Sequence, residues 1–219
     1  MDIYASLINR QYGQLNLIGR IYRALEGAGK DLENLSLDDL AEFDQLHGGQ
    51  RNGTRALANL AGLQPGMNVL DVGSGIGGPA RTLVSEYGCQ VVGIDLTDEY
   101  VEAAAALTDK VRLSDRVSFR KGSALNLPFG DDAFDVVWSQ NVFMNIEDKE
   151  TAIREAARVL RPQGILAMEI ILASGKDGLE YPVLWADHPD ISFLTPPDDF
   201  RRLMTQEGLI EFEWEDVTH

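Results

Sequence analysis

Val69-Leu70-Asp71-Val72-Gly73-Ser74-Gly75-Ile76-Gly77-Gly78 decides the reading of this chain. The apolar, β-branched run from Met67 to Val72 reads as a buried strand, and the glycines after it read as a tight turn. Pro79-Ala80-Arg81-Thr82-Leu83-Val84 then opens a helix, with proline in the first turn, where a missing N–H costs nothing. Strand, glycine turn and helix in that order make a nucleotide-type site. Glycine lets the backbone approach a ligand closely, and the helix N-terminus offers it unpaired N–H groups.

Two templates fit the turn. Gly73-x-Gly75-x-x-Gly78 satisfies the dinucleotide fingerprint, and Asp95 follows about 20 residues on, where a ribose-binding acid belongs. The same stretch satisfies Asp-x-Gly-x-Gly-x-Gly through Asp71, Gly73, Gly75 and Gly77. Asp71 separates the two. A carboxylate at the mouth of the loop repels a pyrophosphate and suits a ligand carrying an ammonium or sulfonium group.

Further stretches follow in order: Gly93-Ile94-Asp95-Leu96, Gly122 to Phe129, Phe134-Asp135-Val136-Val137-Trp138, and Arg158-Val159-Leu160-Arg161-Pro162-Gln163-Gly164. With Asp71 to Gly78, and over about residues 44–216, they resemble the class I S-adenosylmethionine-dependent methyltransferases. The likeness is greatest to the small-molecule group of ubiquinone/menaquinone-type and sarcosine/dimethylglycine-type enzymes. The resemblance implies S-adenosyl-L-methionine as cofactor, S-adenosyl-L-homocysteine as product, and methyl transfer to N, O or C of a small molecule. The expected fold is a three-layer α/β sandwich with a Rossmann-like, mostly parallel sheet. The alternation of strands and helices along the chain argues for the same layers.

The resemblance also assigns residues. Asp71, Gly73, Ser74 and Gly75 are candidate cofactor contacts in the loop, Asp95 binds both ribose hydroxyls, and Leu96 lies against the adenine ring. Many relatives carry an aspartate where this chain has Ser123; its hydroxyl, or the backbone around Ala124, would accept from the adenine amine more weakly. Leu127-Pro128-Phe129 would wall the adenine, or be plain core. At the end of the fourth strand Gln140 is the candidate contact to the methionyl part, and Asn141 a candidate for substrate; Asn141 and Asn145 could instead bond loop backbone. Asp44-Gln45-Leu46-His47 stands where the family carries an Asp-Gln-Phe-His-like stretch. That position makes Gln45 a candidate cofactor contact and His47 a candidate general base, since an imidazole titrates near neutrality. The alternative for His47 is a backbone hydrogen bond at a helix end.

The sequence has 219 residues and a net charge of −16, enough chain for a full core and too acidic for nucleic acid or an anionic membrane as partner. No stretch suggests a membrane span or a secretory signal, and the lone Cys89 suits a reducing cytoplasm. No spacing of Cys and His fits a metal site. Residues 1–50 read as an N-terminal helical extension or lid, and residues 51–219 as the cofactor-binding domain. In the extension, Ile3, Leu7, Leu15, Ile18, Tyr22 and Leu25 have helical spacing with a break expected near Gly13 or Gly19, and Ser36-Leu37-Asp38-Asp39 reads as a capping box.

Strands are expected at Gln90–Leu96, Val117–Lys121, Phe134–Trp138, Ile165–Leu172 and Leu209–Trp214 as well. Glu169 is the one charge in the fifth strand and points into a polar site or pairs with a basic neighbour. Between them, the stretch from Ser174 to Pro197 holds Tyr181 and Trp185, candidate substrate-binding aromatics, together with His188 and Phe193; a hydrophobic cluster over the sheet edge is the alternative. The family's seventh strand has no counterpart here; a truncated sequence, an incomplete site or a partner over the gap would each account for that, and an exposed sheet edge invites association, such as a homo-oligomer. Two rival functions stay open, a noncatalytic cofactor- or partner-binding module and a nicotinamide oxidoreductase. The second expects a small apolar residue in place of Asp71.

Overall fold

A computed structural model describes residues 16–41, 43–45, 48–175 and 178–218. The helices are α1 (Leu17–Gly27), α2 (Leu37–Ala41), α3 (Gln50–Leu60), α4 (Gly78–Tyr87), α5 (Asp98–Lys110), α6 (Lys149–Val159) and α7 (Pro197–Gln206). The strands are β1 (Asn68–Val72), β2 (Gln90–Asp95), β3 (Val117–Lys121), β4 (Phe134–Gln140) and β5 (Leu160–Glu169), in the spatial order β3-β2-β1-β4-β5. Every pairing among them is parallel. Central β1 and β4 are covered on both faces, which is why they read as continuous apolar runs and not as alternations.

The sheet has two packed faces. Val69, Val136 and Trp138 meet Ala58 and Ala61 at the end of α3, and Leu83 and Val84 of α4. The residues one step along, Leu70 and Val137, meet Ala156 and Val159 of α6, as the period of two along a strand requires. This is the expected three-layer sandwich. The chain leaves β1 for β2 on one side and returns to β4 on the other. The crevice at the carboxyl ends of β1 and β4 is therefore the place where an open parallel sheet binds ligands.

Ser36 and Asp39 form the expected capping box: Ser36 N–H donates to Asp39 Oδ2 at 2.9 Å, and Asp39 N–H donates to Ser36 Oγ at 3.2 Å. The expected break at Gly19 does not occur. Asn16, with φ of 58°, starts α1, and a Cβ on Gly19 would lie 2.4 Å from Asn16 Oδ1, so this glycine makes room for a folded-back side chain inside a continuous helix. Ile3, Leu7, Gly13 and Leu15 lie outside the described residues.

Two strand expectations need correction. β5 begins at Leu160, before Ile165, and ends at Glu169, before Leu172; Arg161 to Gly164 form a bulge, since Phe134 pairs with Leu160 but Val136 with Ile165. Gln163, a non-glycine residue, takes φ of 66° in that bulge. The sixth strand, Leu209–Trp214, is absent. Arg201 of α7 pairs with Glu211 at 2.8 Å and lies 3.8 Å above the Trp214 ring, so these contacts hold the segment near α7 and leave Ile210 and Phe212 exposed.

Candidate functional site

The turn after β1 is held by its own backbone and by β2. Gly73, Gly75 and Gly77 have φ of 74°, 52° and 84°, a region costly for other residues. The N–H groups of Gly73 and Ser74 both donate to Ile94 O at 2.9 Å. Gly75 N–H donates to Asp95 Oδ2 at 2.9 Å, and Thr97 N–H to Asp95 Oδ1 at 2.9 Å. Asp95 is thus fixed at the mouth of the loop, and the Thr97 side chain and Leu96 N–H add to these hydrogen bonds. Burial raises the pKa of Asp95, against these backbone hydrogen bonds, which lower it.

Asp71, only 2 % exposed, carries the strongest electrostatic signal. Burial and the nearby Asp95 carboxylate push its pKa up to about 7. Asp71 Oδ2, Ser74 Oγ and Asn141 Oδ1 are buried side-chain atoms with no hydrogen-bond partner among the described residues. Asn141 also holds φ of 53° while its N–H donates to Glu169 O at 2.8 Å. One buried and one half-buried carboxylate, with a set of unmet acceptors, make a site short of donors and of positive charge. S-adenosylmethionine brings an ammonium, a sulfonium and ribose hydroxyls, so the residues present fit it.

The other candidates are distributed around the same cleft. Leu96, Ser123, Ala124, Asn141, Glu169 and Trp185 line one continuous groove with the glycine loop. Ser123 Oγ accepts from Leu125 N–H at 3.2 Å, a bond within its own turn. Gln140 is engaged by protein: its Oε1 accepts from Trp138 Nε1 at 3.0 Å and Thr54 Oγ1 at 3.1 Å, and its Nε2 donates to Glu169 Oε2 at 2.8 Å. Of the two options for Glu169, the polar site is the one these contacts favour. Gln45 donates to Asp44 Oδ1 at 2.9 Å and its Oε1 lies 3.4 Å from Thr54 Oγ1. His47 lies outside the described residues.

Tyr181 and Trp185 pack with Ala186, Ile191 and Leu96 in one cluster, which puts them beside the expected adenine contact. This loop is fastened from below by residues the sequence reading passed over or left undecided. Asn145 Nδ2 donates to Trp185 O at 2.8 Å and to Ile191 O at 2.7 Å. Lys149, 5 % exposed, donates to Ile146 O at 2.7 Å and to Phe193 O, and burial lowers its pKa to about 8. A second overlooked group is the buried pair of Arg81 and Asp44, 2.8 Å apart. Its sequence signal was an arginine set within the apolar start of α4.

No helix among the described residues is long and apolar enough to cross a membrane. Comparison with known proteins gives a consistent result. Residues 70–168 match the profile of a methyltransferase domain family. A glycine/sarcosine/dimethylglycine N-methyltransferase of Actinopolyspora halophila is 30% identical over 100% of this chain and 38% of its own length. The 27-O-demethylrifamycin SV methyltransferase of Amycolatopsis mediterranei is 39% identical over 58% of this chain and 48% of its own. This chain thus spans half or less of the length of these two curated relatives. Among solved structures, the [4+2]-cyclase SpnF superposes with a TM-score of 0.67 at 30% identity, covering 76% of this chain and 59% of that one. In fold, in order of motifs and in these relatives the chain is similar to the class I S-adenosylmethionine-dependent methyltransferases, and residues 70–168 carry the match to the methyltransferase domain family.

Proposed function

We propose that the cleft binds S-adenosylmethionine and directs its methyl group to N, O or C of a small molecule. The observation that carries this reading is the buried Asp71 carboxylate, its Oδ2 unmet, beside Asp95 at a glycine turn. A dinucleotide pyrophosphate would meet two carboxylates there, which is why the nicotinamide reading is set aside. The bound cofactor supplies an activated methyl group whose departure leaves a neutral thioether. What remains for the protein is to bind, align and desolvate.

In this reading Asp95 takes the ribose hydroxyls, Leu96 with Tyr181 and Trp185 encloses the adenine end, and Ser123 and Ala124 meet its edge. Gly73, Ser74 and Gly75 follow the methionyl part, and Asp71 and Asn141 meet its positive charges. Gln140 and Gln45 act one step behind, holding the ends of β4 and of the N-terminal segment in place. Residues 1–50 cover the cleft and residues 51–219 form the cofactor domain; His47, as general base, belongs to the same proposal. The relatives named for glycine, sarcosine and dimethylglycine put small amines first among the acceptors to assay.

Calorimetric titration with S-adenosylmethionine, S-adenosylhomocysteine and NAD tests the reading. Micromolar binding of both sulfur ligands with none of NAD is expected; binding of NAD alone would overturn it. Methyl transfer from labelled cofactor to a panel of amines, phenols and quinols then tests catalysis. The likeness to SpnF, a [4+2]-cyclase by name, favours one second reading: a chain of this fold whose reaction is not methyl transfer. Cofactor binding with no labelled product on any acceptor would select it.

A further inference from the structure

Arg81 is 1 % exposed, yet its guanidinium contacts three separate parts of the chain. Nη2 donates to Asp44 Oδ2 at 2.8 Å, in the N-terminal segment, and to Ile76 O at 2.8 Å, at the tip of the glycine loop. Nη1 donates to Thr108 Oγ1 at 2.9 Å and Ala104 O at 3.3 Å, both on α5. The Ile76 side chain is itself buried with Leu25 of α1, Leu40 of α2 and Leu107 of α5. The loop is also fitted to the segment at close range. A Cβ on Gly78 would fall 2.2 Å from Asp44 O and 2.7 Å from Gln45 Nε2, and one on Gly77 would fall 2.8 Å from Arg81 Nη1.

Packing alone does not call for this arrangement. A buried ion pair costs desolvation, and an apolar pair of like volume would hold the helices as well or better. What a guanidinium adds is direction: its donors fix the Ile76 carbonyl and the Asp44 carboxylate relative to each other. We infer that Arg81 is a positioning residue that bolts the N-terminal segment, residues 37–41 and 43–45, to the glycine loop. Docking of that segment and the ligand-ready shape of the loop then form one equilibrium. By linkage, a ligand that binds the shaped loop tightens the segment, and release of the segment weakens the ligand by the same factor. The inference rests on the proposal that the loop binds S-adenosylmethionine.

The test is calorimetric binding of S-adenosylhomocysteine together with amide hydrogen exchange of the full chain, with and without that ligand. In the wild-type protein the ligand should protect both the glycine loop and α2. The double variant Asp44→Leu/Arg81→Met removes both charges, so neither is left buried alone. It should melt cooperatively, bind roughly tenfold or more weakly, and lose the ligand-dependent protection of α2. Gly78→Ala keeps both charges but drives the loop and Asp44 O apart, and it should show the same two losses. It also serves if the double variant does not fold. A folded variant that releases α2 yet binds within twofold of wild type overturns the coupling and leaves the cofactor reading intact. Wild-type protein that takes up no ligand overturns both.

Discussion

In the proposed reading, Asp95 and Asp71 divide the work of recognition by charge and hydrogen bonding. If Asp95 accepts from the ribose, Asp95→Ala should weaken S-adenosylhomocysteine by about 1.5–3 kcal/mol, the range for a hydrogen bond to a charged group. Titration calorimetry on the folded variant reads this directly, and an unchanged dissociation constant would remove Asp95 from the site. Asp71 predicts a pH dependence. Its folded pKa of about 7 stands above the ordinary 3.8, so retention of the proton stabilises the unliganded protein below the unfolded value, and that contribution is lost as pH rises towards 7. A cationic ligand needs the ionised carboxylate. Affinity should therefore rise about tenfold from pH 5.5 to 7 and level off above. Asp71→Asn should flatten that profile; a slope that persists in the variant would assign the titration to another group.

At the level of elements, the legible parts were the local ones. The strand, glycine turn and helix from Asn68 to Tyr87 follow from residues adjacent in sequence, as does the capping box of Ser36 and Asp39. Parts set by distant partners were not legible. Arg81 finds Asp44 across 37 positions; an arginine in an apolar helix start marks a buried charge but does not name its partner. The run Leu209–Trp214 has strand-like content, but in the folded chain it contacts Arg201 of α7 through Glu211 and Trp214 and forms no strand. The loop over Leu96 belongs to the same class: its aromatics were visible in the sequence, its anchors were not. Asn145→Ala would remove one donor from Trp185 O and one from Ile191 O, at a cost of about 1–3 kcal/mol. Chemical denaturation should report that loss, and hydrogen exchange should place the new opening at residues 183–193. Wild-type protection there would show that Lys149 and the apolar cluster hold the loop by themselves.

Across the whole molecule, 35 acidic residues face 19 basic ones, and charge sets the response to salt. Two effects compete. Surface ion pairs such as Lys121–Asp98 and Arg161–Asp135 weaken when screened, but exposed pairs are worth about 0–1 kcal/mol each, and many contribute nothing measurable. The net charge of −16 repels itself over the compact surface, and screening relieves that repulsion in the folded state more than in the expanded unfolded one. Because the excess of acids is nearly as large as the whole basic complement, relief should win. Raising NaCl from 0.1 to 1 M shortens the screening length from about 10 Å to about 3 Å. A gain of about 1–2 kcal/mol should follow, raising the melting temperature by roughly 2–8 °C for a chain of this size. Sodium sulfate at matched ionic strength separates screening from exclusion of the salt from the protein surface. Equal stabilisation by chloride and sulfate supports charge relief. A rise in sulfate alone assigns the effect to exclusion, and a fall in both would mean that the ion pairs, and not the uncompensated acids, govern the folded state.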